Sequence, residues 1–189
     1  MKKIAVFASG NGTNAERIME HFSTSNEVVI QLILTNNPKA GVLQRAQKYD
    51  VQSIIFSKDE FYNTDKVAIA LKENDIDFVV LAGFLWLITA SILRAFPRHI
   101  INIHPALLPK YGGKGMYGHH VHEAVIANQE AQSGITIHYV NENYDEGNII
   151  FQATCEVLND DTADSLASRI HKLEHKHFPV VIDKLVNAI

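Results

Sequence analysis

The stretch Lys3-Ile-Ala-Val-Phe-Ala-Ser-Gly-Asn-Gly-Thr-Asn-Ala-Glu-Arg-Ile-Met-Glu-His-Phe22 decides the fold. Lys3 to Ala8 reads as an apolar run of strand length, and it stops at Ser9-Gly-Asn-Gly-Thr-Asn14. From Ala15 to Phe22 the apolar residues return at helical spacing. Strand, glycine turn and helix in that order open a βαβ unit. The pattern then repeats. Val28–Leu34, Ser53–Phe56, Phe78–Leu81 and Ile100–Ile103 read as strands. Helices are expected over Gly41–Tyr49, from a cap at Asn63 or Thr64 to about Asn74, and over Thr89–Ala95. Strands that alternate with helices build a parallel sheet covered on both faces.

Beyond Ile103 the character changes. Tyr111-Gly-Gly-Lys-Gly-Met-Tyr-Gly118 carries four glycines in eight residues and reads as a mobile loop. His119–Ala127 reads as a helix. Ile135–Val140 and Ile149–Val157 are β-rich, and the turn Asn141–Gly147 between them allows an antiparallel pair added to the sheet. Thr162 to about Leu185 reads as one long helix, capped by Asp160, Asp161 or Thr162 and kinked at Pro179. The fold class is therefore α/β, a Rossmann-like mixed but mostly parallel sheet with helices on both faces. With no repeat, linker or low-complexity tract, residues 1–189 read as one domain.

Composition narrows the partners. A formal charge of −4 gives no basic field, so nucleic acid is not expected as a main partner. One cysteine, Cys155, excludes a disulfide framework and a cysteine-based metal site. No run reaches the roughly 18 apolar residues of a membrane span, and the N-terminal run is too short for a secretory signal. A cytoplasmic protein, monomer or homodimer, is expected. Ten histidines are the unusual figure: three fall in His119–His122 and three in His171–His177.

Two motifs carry chemistry. Gly10-Asn-Gly-Thr-Asn-Ala15 fits the loose dinucleotide fingerprint, in which free amides at a helix N-terminus attract an anion. A dinucleotide site also needs an acidic residue at the end of the second strand, and this one ends Leu34-Thr-Asn-Asn37. A single phosphate held by Gly10, Asn11, Gly12, Thr13 and Asn14 fits better, with a purely structural turn as the alternative. In Asn102-Ile-His104-Pro, the amide and imidazole lie two apart and so share one side of a strand at its carboxyl end. Asp145, in the later turn, could orient His104 and favour its charged form.

Taken together these segments resemble the phosphoribosylglycinamide formyltransferases of purine synthesis. The resemblance rests on Ser9–Asn14, Val80-Leu-Ala-Gly-Phe84, Asn102-Ile-His-Pro-Ala-Leu-Leu-Pro109, Gly134-Ile-Thr-Ile-His138, Asp145-Glu-Gly147 and Glu174-His175, in order along nearly the whole chain. It implies a phosphate-binding half over about 1–100 and a folate-binding, catalytic half over about 101–189. It also implies transfer of a formyl group from 10-formyltetrahydrofolate, a co-substrate, to the amine of glycinamide ribonucleotide, with no metal. Asn102, His104 and Asp145 would form the reaction centre. The ribonucleotide would meet Gly10–Asn14, Glu174 and His171. The folate would meet Leu85, Trp86, Leu87, Ile88, Asn102 and, across from them, the turn with Asn141 and Tyr144. Trp86 stands where some relatives carry arginine, and the loop through Gly112–Gly118 is longer than usual for the family.

Rival readings remain on the residues. His171-Lys-Leu-Glu-His175 matches the inverted zinc-peptidase pattern, with His119, His120 or His122 as further ligands. Other users of 10-formyltetrahydrofolate share the N-x-H-P core: a methionyl-tRNA formyltransferase should add a C-terminal domain and a basic surface, and a formyltetrahydrofolate hydrolase an N-terminal regulatory domain. Sugar-nucleotide formyltransferases and a non-catalytic folate-binding protein complete the set.

Overall fold

The computed structural model describes residues 1–189. Seven strands form one sheet: β1 (Lys2–Phe7), β2 (Val28–Thr35), β3 (Gln52–Ile55), β4 (Phe78–Leu81), β5 (Ile100–His104), β6 (Gln132–Tyr139) and β7 (Ile149–Glu156). Their spatial order is β3-β2-β1-β4-β5-β6-β7. The first five in this order run parallel, while β6 lies antiparallel to β5 and β7 antiparallel to β6. The mixed, mostly parallel α/β sheet expected from the alternation is thus present, with the late hairpin added at its edge.

Period-two alternation assigns each strand's side chains to opposite faces. Ile4, Val6 and Ala8 join a core of 27 buried residues on one face, and Ala5 and Phe7 join one of 16 on the other. The larger core packs under α1 (Thr13–Phe22), through Ile18, Met19 and Phe22, and under α7 (Ala163–Val186), through Leu166, Ile170, Phe178 and Ile182. The smaller one gathers Phe61 of α3 (Lys58–Tyr62), Val67 and Leu71 of α4 (Lys66–Glu73) and Ile92 of α5 (Ala90–Ala95). The remaining helices are α2 (Val42–Lys48) and α6 (His119–Ala127).

Three expectations change in detail, and the choice of cap for α7 is resolved. Helix α3 forms where no element was expected, because Ser57 and Glu60 cap each other's backbone amides in a reciprocal box. That turn takes up Asn63 and Thr64, so α4 starts after Asp65, without a side-chain cap. β6 begins three residues early, at Gln132, because its partner β7 is long enough to pair the extra residues. Of the three cap candidates for α7, Thr162 does the capping, with Ser165 bonding back to it. The helix continues through buried Pro179 as one element, so the missing amide costs a bond without ending it.

Close backbone approach fixes the β6–β7 register at Gly134, where a Cβ would lie 2.0 Å from the carbonyl oxygen of Ala153. Gly134→Ala is expected to destabilise the chain by about 1–3 kcal/mol, the cost of overpacking a close-packed interior. A lowered urea midpoint at unchanged slope checks this, and an unaltered midpoint would contradict the packing.

Candidate active site

The strand order reverses direction between β1 and β4, and in open α/β sheets ligands bind outside the carboxyl ends of strands at such a point. A cavity of about 760 Å³ opens there. Ser9 ties the two strand ends together: its amide donates to Gly83 O at 3.0 Å, and its hydroxyl accepts from the Leu85 amide at 3.1 Å. The glycine turn and the Leu85–Ile88 segment are therefore adjacent walls of one site.

The turn Gly10–Asn14 forms one end of the cavity. Gly12 adopts φ 75°, and a Cβ on it would lie 2.5 Å from Val42 Cβ, so only glycine fits. Helix α1 starts at Thr13 with no side-chain cap on its first amides, which leaves donors for an anion. Asn14 Nδ2 donates to Glu174 Oε2 at 2.8 Å, and Asn14 Oδ1 is buried without a partner. Burial raises the Glu174 carboxyl above its ordinary range, against the opposing effects of Asn14 and His171. Asn14, Glu174 and His171 all line the cavity, so the structure brings together the group expected at the substrate end.

At the other end, β5 and β6 present Asn102, His104 and His138. His104 is 3% exposed. Its Nε2–H donates to Tyr111 O at 2.7 Å, which leaves Nδ1 facing Asp145 Oδ2 at 3.5 Å. His138 Nδ1–H donates to Tyr139 O at 2.9 Å, so its Nε2 accepts from Asn102 Nδ2 at 3.0 Å. The second Asn102 amide hydrogen points at Asp145 Oδ1, 3.4 Å away. Asp145 also accepts the Gly113 amide at 3.0 Å. Both Asp145 and Tyr111, the two partners of His104, hold left-handed backbone, with φ 58° and 57°. Such strained positions cluster where geometry must be exact in a site.

The electrostatics correct one expectation. Burial lowers the His104 pKa and outweighs the attraction of Asp145 and the Tyr111 carbonyl, so the resting imidazole is neutral. Burial likewise opposes ionisation of Asp145, but its polar surroundings prevail and hold its carboxyl below its ordinary value, with the Asn102 and Gly113 amides donating to it. The resting pair is a carboxylate beside a neutral imidazole, because desolvation weighs on both groups and the carboxylate has more donors.

Leu85, Trp86, Leu87 and Ile88 form a third wall, with Tyr144 across from them. Trp86 leans on Tyr62, ring centroids 5.8 Å apart, and on Phe56 and Phe61. Asn141 is the exception among the expected folate contacts. It does not line the cavity; its side chain accepts the Asn143 amide at 3.1 Å and so shapes the turn that carries Tyr144 and Asp145. His122 and His138, to which the sequence reading gave no role at the reaction centre, both line the cavity, as do Gly113–Gly118. His138 sits two residues from Thr136 on the same strand face, a signal that period-two reading could have raised. Of the zinc pattern, His171 and Glu174 face the cavity whereas His175 does not, and no three His, Cys, Asp or Glu side chains are grouped to hold a metal ion.

The comparison with known proteins decides the family. Residues 2–182 match the formyl transferase family. The chain belongs to it. A chloroplastic phosphoribosylglycinamide formyltransferase of Arabidopsis thaliana is 41% identical over 96% of this chain and 64% of its own length. The corresponding protein of Bacillus subtilis is 38% identical over 98% of this chain and 95% of its own. The crystal structure of phosphoribosylglycinamide formyltransferase from Anaplasma phagocytophilum superposes with a TM-score of 0.90 at 34% identity, covering 98% of this chain and 87% of that one. This chain spans under two thirds of the two plant relatives, 64% and 61% of their lengths. Within the family's sheet, then, the glycine turn and the Asn102–His104–Asp145 cluster occupy the two ends of one cavity.

His122 gives a test of this electrostatic picture. Burial, followed by the nearby His171, His119 and His104, lowers its pKa to about 4. In the unfolded chain it takes a proton near pH 6.5. The unfolded state thus binds more protons between about pH 6.5 and 4, and stability is expected to fall as pH drops through that window. Urea midpoints for wild type and His122→Leu at pH 7 and pH 5 check it: the substitution should reduce the loss. An equal loss in both would contradict a buried neutral imidazole.

Proposed function

We propose that the protein is a phosphoribosylglycinamide formyltransferase, moving the formyl group of 10-formyltetrahydrofolate to the amine of glycinamide ribonucleotide. Family membership and the names of its relatives support the reaction. The observation that carries it is one cavity with an uncapped helix N-terminus at one end and an amide, an imidazole and a carboxylate at the other. A phosphate on the first end leaves the ribosyl glycinamide pointing at the second, and Leu85–Ile88 with Tyr144 flank the approach of a flat pterin. On this reading residues 1–189 act as one domain, in the cytoplasm, as a monomer or a homodimer.

The chemistry follows from the geometry. The amine attacks the formyl carbon, a carbon–nitrogen bond forms, and the carbonyl oxygen gains charge. Asn102 Nδ2 supplies a donor by releasing its long contact to Asp145, while His138 keeps hold of the other hydrogen. His104 Nδ1, free of a proton at rest and 3.5 Å from Asp145, accepts the proton shed by the amine, and the carboxylate stabilises the imidazolium so formed. That proton passes to the folate nitrogen as the second carbon–nitrogen bond breaks. Holding two substrates in one cavity supplies a large share of the acceleration.

The deciding assay offers 10-formyltetrahydrofolate with either glycinamide ribonucleotide or water as acceptor. Transfer to the ribonucleotide is expected, and hydrolysis alone would refute the acceptor. His104→Ala and Asp145→Asn should each cut kcat about a hundredfold or more with the fold retained, in the range seen on removing oxyanion donors or proton-transfer groups. Near-normal turnover in either would remove that residue from the mechanism.

A further inference from the structure

The glycine turn is gripped from outside the cavity. Helix α2 begins against it: the Val42 amide donates to Gly10 O at 3.3 Å, and a Cβ on Gly41 would lie 2.6 Å from Asn11 Oδ1. Arg45 follows Gly41 by four residues and so rises from the same helical face. Its Nε–H donates to Asn11 O at 2.7 Å, and an Nη2 hydrogen to Asn11 Oδ1 at 3.3 Å. Its Nη1 pairs with Glu16 Oε2, in the first turn of α1. Glu16 Oε1 takes Lys48 Nζ at 3.0 Å. Arg45 does not line the cavity. One guanidinium therefore spans the turn and the helix whose first amides that turn exposes.

A surface ion pair would use Nη1 alone; here Nε and Nη2 each also donate a hydrogen to Asn11. The Glu16 partner also matters. A carboxylate in the first turn favours the helix dipole, but it repels an anion bound at the same N-terminus. Arg45 and Lys48 neutralise that charge.

We propose that Arg45 is a positioning residue for anion recognition, holding Asn11 and masking Glu16 so that the turn presents its amides to a phosphate monoester. The phosphorylated substrate rests on the reaction proposed above, whereas binding of inorganic phosphate is measured without it.

Calorimetric titration with inorganic phosphate, on the full chain, compares wild type with Arg45→Met and Arg45→Lys, and melting curves confirm folding. Arg45→Met is expected to weaken phosphate binding about tenfold and to raise KM for the phosphorylated amine similarly, with kcat within about twofold and folate KM unchanged. Arg45→Lys should recover part of the loss, since an ammonium keeps the charge but not the planar fork. Adding Glu16→Gln to Arg45→Met should also restore some affinity by removing the unmasked charge. Wild-type phosphate affinity in folded Arg45→Met overturns the proposal, as does a parallel loss in kcat and both KM values. Arg45-dependent phosphate binding without formyl transfer would uphold this inference and refute the reaction; transfer with Arg45-independent phosphate binding would do the reverse.

Discussion

Asp145 draws the reacting end of the site together against the cost of its own burial. Its carboxylate meets His104, His138, Asn102 and the Gly113 amide, contacts that come from β5, β6 and the glycine loop. Desolvation alone would neutralise it, and the donors around it keep it charged. Because those contacts are shared, a shift of one member alters the surroundings of the others. Asn102 is held by Asp145 and His138, and His138 by the carbonyl of Tyr139. Partly satisfied, such a network would be worse than an apolar core; complete, it holds Asn102, His104 and His138 in one arrangement.

The neutral state of His104 follows from the same constraint. An imidazole that is charged at rest would already have used the attraction of Asp145. In the reaction proposed, one that is neutral, with its bare Nδ1 facing the carboxylate, would gain that attraction on taking up a proton. The left-handed backbone at Tyr111 and Asp145 fits this picture, since both residues are held in uncommon geometry to aim a carbonyl and a carboxylate at one ring.

Much of this was legible in local sequence. The alternation of apolar runs and helical periods placed the strands and the parallel sheet, because hydrophobic spacing reports the face that must be buried. The glycine turn was legible because only glycine suits φ 75° against Val42. Helix α3 too has its signal in local sequence, the capping box Ser57-Lys-Asp-Glu60. Asn141, which the resemblance puts beside the folate, instead has its side chain bonded to the Asn143 amide within the turn, a contact its place in the chain does not announce.

By itself, the sequence determined the α/β class, the glycine turn between the first strand and helix, the pairing of Asn102 with His104 on one side of a strand, and the family resemblance. These depend on periodicity and on neighbours in the chain. The tertiary structure alone decided that Asp145 reaches His104, that His138 holds Asn102, that Glu174 meets Asn14 across 160 positions, and that Arg45 grips Asn11. It also reversed the expected charge on His104. Long-range contacts and burial set those outcomes, and a pKa responds to the whole surrounding volume rather than to chain neighbours.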